Sequence, residues 1–289
     1  MSRFILKIIY FCIPLLFLFY AKPLYLLIDN RYKNIVAGSE IYISIKKSKQ
    51  KSNKKILLIG DSVGNQLYNN KDENDSINSL ASNQAIGVIG QYFLIESYLK
   101  TGNKPEIIYM LYTPFSFKNN LDQVYSFHYF LKPFYNKEYL PLFTKTALKQ
   151  IDKIPYSLLC NEPYILTSNW APNFQSKDKI NYTFLSPISK EYLSKIKDLC
   201  ISYNIEFFII PTPTKESNKV KVEHSDKNEF FGYNFESDLT FFLNNIVYLN
   251  DSCFVDNVHL KKPLMEKKVL NELMIKARTH NNAHKKLLN

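Results

Sequence analysis

The sequence predicts an α/β fold in which a parallel sheet is covered by helices on both faces. Short apolar segments typical of buried strands alternate with amphipathic segments of helical period through most of residues 55–280. This alternation is typical of parallel sheets, because each connection between parallel strands packs a helix onto one face. The length agrees, since 289 residues, 46% of them hydrophobic, can bury one large core.

Each predicted element is bounded by residues that start or stop strands and helices. Ser186-Pro187 is typical of a helix start, because serine caps the first turn and proline needs no hydrogen bond there. Gly102 closes another helix, and Pro105 and Pro114 flank a strand. The predicted strands are residues 56–59, 77–81, 106–112, 205–210 and 246–249, and the predicted helices are residues 63–68, 87–100, 187–203, 235–245 and 263–277.

The N-terminus carries an apolar segment that predicts a single-pass transmembrane signal anchor at residues 1–28. Residues 4–21 are apolar except for Lys7, and the run resumes after Lys22-Pro23. As one helix, residues 4–28 would reach about 37 Å, enough to span a bilayer. A cleaved signal peptide is the rival interpretation, although Phe19 stands where a small residue is favoured; a buried helix of the domain is the third. Basic residues flank both sides, so charge does not determine the orientation.

The net charge of +11 comes mostly from lysine and predicts no nucleic-acid partner, because the basic residues form no nucleic-acid-binding motif. Much of the excess lies at residues 46–55 and in a polar tail, residues 281–289. We interpret residues 29–54 as a solvated, lysine-rich linker between the anchor and the folded domain. Membrane lipid, contacted through the N-terminal helix, is the partner that this arrangement implies.

Residues 115–185 interrupt the alternation and are interpreted as an insertion or helical cap within the domain at residues 55–280. The segment is rich in aromatic residues and has no clear period. These side chains either line a sugar or acyl site or fill the core beneath the cap. They are Tyr125, Phe127, Tyr129, Phe130, Phe134, Tyr135 and Trp170.

The four cysteines predict neither a metal site nor a cellular compartment. Cys12 lies in the apolar N-terminal run, and Cys160, Cys200 and Cys253 lack the spacing of metal ligands. They are expected to be small core residues or to include one disulfide. We expect no metal and no cofactor.

Gly60-Asp61-Ser62 follows the first predicted strand and precedes a helix, the position where α/β enzymes place a nucleophile. A serine hydroxyl needs a base to accept its proton, and a histidine base needs an acid that fixes its tautomer. His259 lies in the loop after the last predicted strand, at the same edge of the sheet as Ser62, with Asp256 three residues before it. The alternative for Asp61, Ser62 and His259 is a role as helix-capping residues.

These two motifs resemble those of the SGNH (GDSL-like) hydrolase superfamily, which carries Gly-Asp-Ser near the start of the domain and Asp-x-x-His near its end. The resemblance implies a flavodoxin-like three-layer αβα sandwich around a five-strand parallel sheet. It also implies that Ser62 is the nucleophile, His259 the general base and then acid, and Asp256 the orienting carboxylate. Asp61 would have a structural role in the turn.

The middle of the family pattern is altered in this sequence. The family has a glycine after the second strand and Gly-x-Asn-Asp after the third, which build the oxyanion hole. Here the second strand is followed by residues 82–87 and the third by Thr113-Pro114, without that asparagine. The Ser62 N–H would supply one oxyanion donor, and Asn83 or Thr113 another. In this respect the chain is similar to divergent, membrane-anchored envelope proteins of the superfamily.

The resemblance therefore implies a serine esterase or O-acyltransferase that acts on acyl esters of cell-envelope carbohydrate through an acyl-enzyme on Ser62. Its expected partners are acylated polysaccharide or another envelope ester and a multi-spanning acyltransferase, with the catalytic domain outside the cytoplasm. The alternative is a catalytically weak or inactive SGNH-like protein that binds glycan or scaffolds an envelope assembly. A phosphate- or nucleotide-binding protein is a third class, but the sequence has no glycine-rich loop for it.

Overall fold

A computed structural model describes residues 2–21, 38–72, 75–155, 157–161 and 180–288 of the chain. The strands are β1 Ile56–Gly60, β2 Ile77–Ser79, β3 Ile107–Tyr112, β4 Glu206–Pro211, β5 Thr214–Lys215 and β6 Tyr248–Leu249. The helices are α1 Ser2–Tyr20, α2 Ser39–Ser48, α3 Ser62–Leu67, α4 Gly87–Lys100, α5 Lys145–Ile151, α6 Pro187–Ser202, α7 Lys219–Glu223, α8 Glu236–Asn244 and α9 Pro263–Leu288, with a further helical turn at Lys132–Phe134.

The main sheet has four parallel strands in the order β2-β1-β3-β4. The central strand β3 is buried along its whole length, as expected of a parallel strand with helices on both faces. The prediction of an α/β fold built on a parallel sheet is therefore confirmed. Because all four strands run in one direction, their carboxyl ends share one edge, and this edge positions the site.

Alternate residues of the strands face two separate cores. Leu57 and Ile59 of β1 belong to the larger core, which α4 and α6 cover together with the insertion. Leu58 of β1 and Tyr109 and Leu111 of β3 belong to the smaller core, which α3 and α9 cover. Helices thus pack on both faces, and the period-2 alternation of strand side chains distributes the apolar residues between them.

The predicted fifth strand, residues 246–249, does not extend this sheet, which corrects the sequence prediction. Its structured part, β6, pairs in parallel with β5 instead of with β4. Thr212 donates its N–H to the carbonyl of Tyr112 in β3, so the alternate positions Pro211 and Pro213 face the outer edge of β4. Proline has no N–H, and a further strand therefore finds no donors at this end of that edge.

The helix boundaries follow the predicted signals closely. The side chain of Ser186 accepts the N–H of Ser189 at 3.1 Å and caps α6. Gly102 follows α4 with a φ of +84°, a left-handed conformation that glycine adopts without strain. The last helix is longer than predicted: α9 continues to Leu288, so residues 281–288 of the predicted polar tail are helical.

The N-terminal apolar segment forms α1, with Pro14 inside the helix and exposed apolar side chains such as Phe4 and Phe17. Among the described residues, no helix combines the length and the apolar character needed to cross a bilayer. The predicted anchor extends to residue 28, and its part from residue 22 onward lies outside the described residues. The anchor therefore stays a prediction.

Part of the predicted linker, residues 29–54, belongs to the folded domain, which is a second correction. Its residues 39–48 form α2, in which Ile41 and Ser44 are fully buried. Asn70 donates its side-chain amide to the carbonyl of Glu40 and to the hydroxyl of Ser44, both at 2.7 Å. Two of the lysines that suggested a solvated linker, Lys46 and Lys47, lie in the last turn of this helix, where positive charge is favourable.

The aromatic side chains of the insertion divide between the two predicted roles. Phe127, Phe130 and Phe134 are buried and pack in the larger core, where Phe93 of α4 contacts two of them. Tyr135 packs partly buried against the same core. Trp170 lies outside the described residues. Tyr129 also packs partly buried against this core, and together with Tyr125 it lines the site described next.

Candidate active site

The turn from β1 into α3 brings Ser62 to the carboxyl edge of the sheet. A Cβ atom on Gly60 would lie 2.5 Å from the carbonyl oxygen of Leu111 in the neighbouring strand, so only glycine fits the close approach. The amide of Gln91 holds the same residue from α4, because it accepts the Gly60 N–H at 3.2 Å and donates to the Gly60 carbonyl at 2.8 Å. No pattern in the sequence indicates this role of Gln91.

Asp61 is fully buried and holds the turn through its carboxylate, in agreement with its expected structural role. One oxygen accepts the N–H groups of Val63 and Gly64, at 3.0 and 3.2 Å, and so caps α3. The other oxygen accepts the Thr113 N–H and the Ser116 hydroxyl, both at 2.7 Å. Four donors compensate the burial of this carboxylate and fasten the nucleophile turn to the end of β3.

Ser62, His259 and Asp256 form a continuous chain of hydrogen bonds. The Nε2 atom of His259 lies 2.9 Å from Ser62 Oγ, across 197 residues of sequence. The Nδ1 atom of the same ring lies 2.6 Å from Asp256 Oδ2. The structure thus brings together the three residues that the sequence nominated, in the order nucleophile, base and orienting acid.

A short closed loop fixes the spacing of Asp256 and His259. Phe254 and Leu260 form an antiparallel bridge at its base. The Oδ1 atom of Asp256 accepts the backbone N–H groups of Val258 and His259, at 2.9 and 2.8 Å, which leaves Oδ2 for the imidazole. Asp256 therefore holds the loop backbone with Oδ1 and the imidazole ring with Oδ2. Its position three residues before His259 allows both contacts.

The same contacts determine the ionisation of Asp256. Partial burial raises the pKa of the carboxyl, but the hydrogen bonds from the backbone and ring of His259 and from the Val258 N–H outweigh it and lower the pKa to about 2. Asp256 is therefore negatively charged at neutral pH and able to stabilise an imidazolium on His259.

Gln66 is a site residue that sequence reasoning missed. It lies on α3 one turn after Ser62, and its Oε1 atom accepts the N–H of Leu260 at 3.0 Å. Its Nε2 atom lies 3.5 Å from the Leu260 carbonyl oxygen. Gln66 thus ties the loop of His259 to the helix of the nucleophile. No sequence motif indicates a hydrogen bond between a side chain and a backbone group that lies 194 residues away.

The predicted oxyanion donors differ in whether the fold leaves them an N–H or O–H group that can still donate a hydrogen bond. Ser62 is the first residue of α3, so its N–H has no acceptor within the helix. The Oδ1 atom of Asn83 accepts the Ala85 N–H at 3.0 Å, and its Nδ2 atom donates to Glu40 Oε1 at 3.1 Å. An amide nitrogen carries two hydrogens, so Asn83 keeps one for an oxyanion.

Thr113 has no such donor. Its N–H is used by Asp61. Ser116 gives its own proton to Asp61, so the Thr113 hydroxyl, 2.8 Å from Ser116 Oγ, must donate in that pair. Both donors of Thr113 are therefore used in the core, and the expectation that it contributes to the oxyanion hole has no support in the geometry.

A cavity of about 530 Å³ opens around the nucleophile. Tyr125 and Tyr129 from the insertion form one wall, so two of the predicted aromatic residues do line a site. The lining residues are Ser62, Asn83, Gln84, Ala85, Tyr125, Tyr129, Asp256, Asn257, Val258 and His259. The volume falls within the range of about 300–1,000 Å³ that is typical of ligand sites.

The sequence matches no protein-family model, and no curated protein is significantly similar to it. Within the part of the chain that the structure describes, no cluster of three or more histidine, cysteine, aspartate or glutamate side chains is arranged to hold a metal ion.

Proposed function

We propose that this protein is an SGNH-type serine esterase or O-acyltransferase that acts on acyl esters of cell-envelope carbohydrate through an acyl-enzyme on Ser62. The observation that carries the proposal is the hydrogen-bonded chain from Asp256 through His259 to Ser62, with separations of 2.6 and 2.9 Å. A role in capping helices or ordering loops would not require this arrangement, in which a serine hydroxyl contacts one nitrogen of an imidazole and a carboxylate contacts the other.

In the acylation step, His259 Nε2 accepts the proton of the Ser62 hydroxyl while Oγ attacks the carbonyl carbon of the ester. The carbonyl oxygen becomes an oxyanion, which the Ser62 N–H and the remaining N–H of Asn83 stabilise. Collapse of this intermediate breaks the bond to the sugar oxygen, which leaves with the proton from His259. The acyl group is then bound to Ser62, and His259 is neutral again.

In the second step, the acyl group passes to an incoming hydroxyl. His259 takes a proton from water or from a sugar hydroxyl, and that oxygen attacks the acyl carbon. The bond to Ser62 Oγ breaks, and the serine recovers its proton from His259. Water gives a free acid and defines an esterase, whereas a sugar hydroxyl gives a new ester and defines a transferase.

The envelope setting is the part of the proposal that depends on the N-terminus. The exposed apolar side chains of α1 support a single-pass anchor that continues into residues 22–28, with the catalytic domain outside the cytoplasm. A multi-spanning acyltransferase would be the natural donor or recipient of acyl groups for such a protein. The parallel sheet with helices on both faces supports the flavodoxin-like architecture of the superfamily, with one strand fewer than expected.

A turnover assay tests the proposal. The full-length protein in detergent is incubated with p-nitrophenyl acetate, alone and with a polysaccharide acceptor, and product and acylated acceptor are quantified. We expect turnover that Ser62→Ala reduces by a factor of about 10⁴ or more. Turnover that is equal in the wild type and in Ser62→Ala, or absent from both, would contradict the proposal.

A second candidate function is a catalytically weak SGNH-like protein that binds glycan or scaffolds an envelope assembly. The observation that favours it is that Thr113 donates its N–H to Asp61 and its hydroxyl to Ser116. Thr113 therefore has no donor left for the oxyanion hole, to which it was predicted to contribute. The loss of one such donor typically lowers kcat by a factor of about 100 to 1,000. Glycan binding by a protein that shows no turnover would favour this candidate.

A further inference from the structure

Tyr125 separates the cavity at Ser62 from a second cavity. The second cavity has a volume of about 440 Å³ and is lined by Lys118, Asp122, Gln123, Val124, Tyr125, Ile180 and Tyr182. Tyr125 lines both cavities, so they adjoin at its side chain. An acetyl ester needs only a small part of the first cavity, and the space beyond Tyr125 is therefore available to a substrate that extends away from the nucleophile.

The ring of Tyr125 is held in place although it is exposed. Its side chain is 57% exposed, yet the ring packs against Tyr129 in a T-shaped pair, with 5.7 Å between centroids and 83° between planes. Tyr129 in turn packs closely against Gly38, the residue before α2, because a Cβ atom on Gly38 would lie 3.0 Å from the Tyr129 ring. An exposed aromatic ring with a fixed support is a preorganised stacking surface.

The second cavity is polar as well as aromatic. The Tyr182 hydroxyl lies 3.4 Å from Asp122 Oδ2, and Lys118 and Gln123 add further hydrogen-bonding groups. Sugar rings offer C–H faces that pack on aromatic rings and hydroxyls that bond to such groups. A long fatty acyl chain would offer no hydrogen bonds to Lys118 and Gln123 and would displace water from them, which is unfavourable.

We infer that the substrate is an oligosaccharide ester at least two sugar units long, whose acylated unit lies at Ser62 and whose next unit stacks on Tyr125 and enters the second cavity. This inference rests on the proposed function and specifies its substrate class. The two cavities then act as adjoining subsites, and Tyr125 is the residue that selects a chain over a single sugar.

The test compares substrates of different length with the full-length protein in detergent. Mono-O-acetylated monomers and tetramers of the cello-, chito- and malto-oligosaccharide series are assayed, and the ratio of kcat/KM for tetramer to monomer is determined. We expect a ratio of about 10 or more for at least one series. Tyr125→Ala should bring this ratio close to 1, whereas Tyr203→Ala, at a tyrosine that is 51% exposed and lines neither cavity, should retain it.

Three results would overturn the inference: a ratio close to 1 for every series, a high ratio that persists in Tyr125→Ala, or a fall of the ratio in Tyr203→Ala equal to that in Tyr125→Ala.

A p-nitrophenyl ester series from acetate to octanoate adds another arm. A preference for octanoate that Tyr125→Ala abolishes would assign the second cavity to an acyl chain and also overturn the inference.

A binding experiment separates failure of the subsite from failure of the catalytic proposal. Calorimetric titration of Ser62→Ala with the unacetylated tetramers needs no turnover. Binding that the additional change Tyr125→Ala weakens by about tenfold would support the subsite even if Ser62 proved inert. Absence of binding in every series would overturn the subsite, whatever the reactivity of Ser62.

Discussion

The side chain of Gln66 bonds to the backbone of Leu260, the residue directly after His259. This contact joins α3, which carries Ser62, to the loop that carries His259. Gln66 therefore helps to set the separation between Ser62 Oγ and His259 Nε2. In the proposed mechanism Gln66 is a positioning residue that takes no part in the chemistry.

Gln66→Ala should lower kcat by a factor of about 10 or more with little change in KM, because a displaced imidazole affects the reacting geometry more than substrate binding. Steady-state kinetics measure both constants. The control is Gln50→Ala, at an exposed glutamine outside the catalytic cavity. A rise in KM at constant kcat, or equal effects of the two substitutions, would show that Gln66 does not position the base.

Asp256→Asn should lower kcat by a factor of about 10⁴, because the amide favours the wrong imidazole tautomer.

Stability gives an independent readout of the same contacts. The pKa of Asp256 is lowered from its ordinary value of 3.8 to about 2, so its ionised form stabilises the fold above pH 3.8 and this contribution is lost as the pH falls towards 2.

Urea unfolding of the wild type and of Asp256→Asn between about pH 2 and pH 8 measures this contribution. The difference in unfolding free energy should be constant at neutral pH and decrease on acidification below about pH 4. A difference that stays constant down to pH 2 or grows on acidification would contradict the assigned contacts of the carboxylate.

Asn83→Ala should lower kcat by a factor of about 100 to 1,000 if its free N–H stabilises the oxyanion. Thr113→Val should act differently, because the Thr113 hydroxyl donates to Ser116 in the core and its loss mainly reduces stability. Turnover numbers and thermal unfolding of both variants measure the contrast. Similar kcat values for Asn83→Ala and the wild type would exclude Asn83 as an oxyanion donor.

Gly60→Ala should destabilise the fold by about 1–3 kcal/mol or more, because its Cβ would lie 2.5 Å from the Leu111 carbonyl oxygen and neither backbone can move freely. The matched control is Gly232→Ala, where no atom lies within 4 Å and only the positive φ of 79° opposes a side chain, at about 1 kcal/mol. Urea unfolding compares them. A smaller effect at Gly60 than at Gly232 would contradict the packing of β1 on β3.

The sequence contained enough information to bring Ser62, Asp256 and His259 together as a candidate site and to predict most of the fold. Ser62 could be recognised because it follows an apolar strand, and His259 because it follows the last strand at the same edge of a parallel sheet. Asp256 could be added because three residues of loop allow a carboxylate to reach an imidazole. The helix that begins after Ser186 could be predicted because serine and proline have local, position-specific effects on the first turn.

Other features depend on contacts that no local pattern encodes. The lysines of residues 46–55 suggested a solvated linker, while the burial of Ile41 depends on the larger core and on the packing of α2 against α4. The roles of Gln66 and Thr113 depend on the groups that each one contacts, which are the backbone of Leu260 for Gln66 and the side chain of Asp61 for Thr113. The failure of residues 246–249 to extend the sheet had a local signal, since Pro211 ends β4 and Pro213 follows two residues later. The effect of these prolines depends on which edge of the strand they face.

Covalent labelling of the full-length protein by an alkyl fluorophosphonate, with the modified peptide identified by mass spectrometry, reports directly on an activated serine. The hydrogen-bonded chain from Asp256 to Ser62 predicts rapid, stoichiometric labelling of Ser62 that His259→Ala abolishes. Labelling of another residue, no labelling of Ser62, or labelling of Ser62 at an undiminished rate in His259→Ala would contradict the proposed catalytic role.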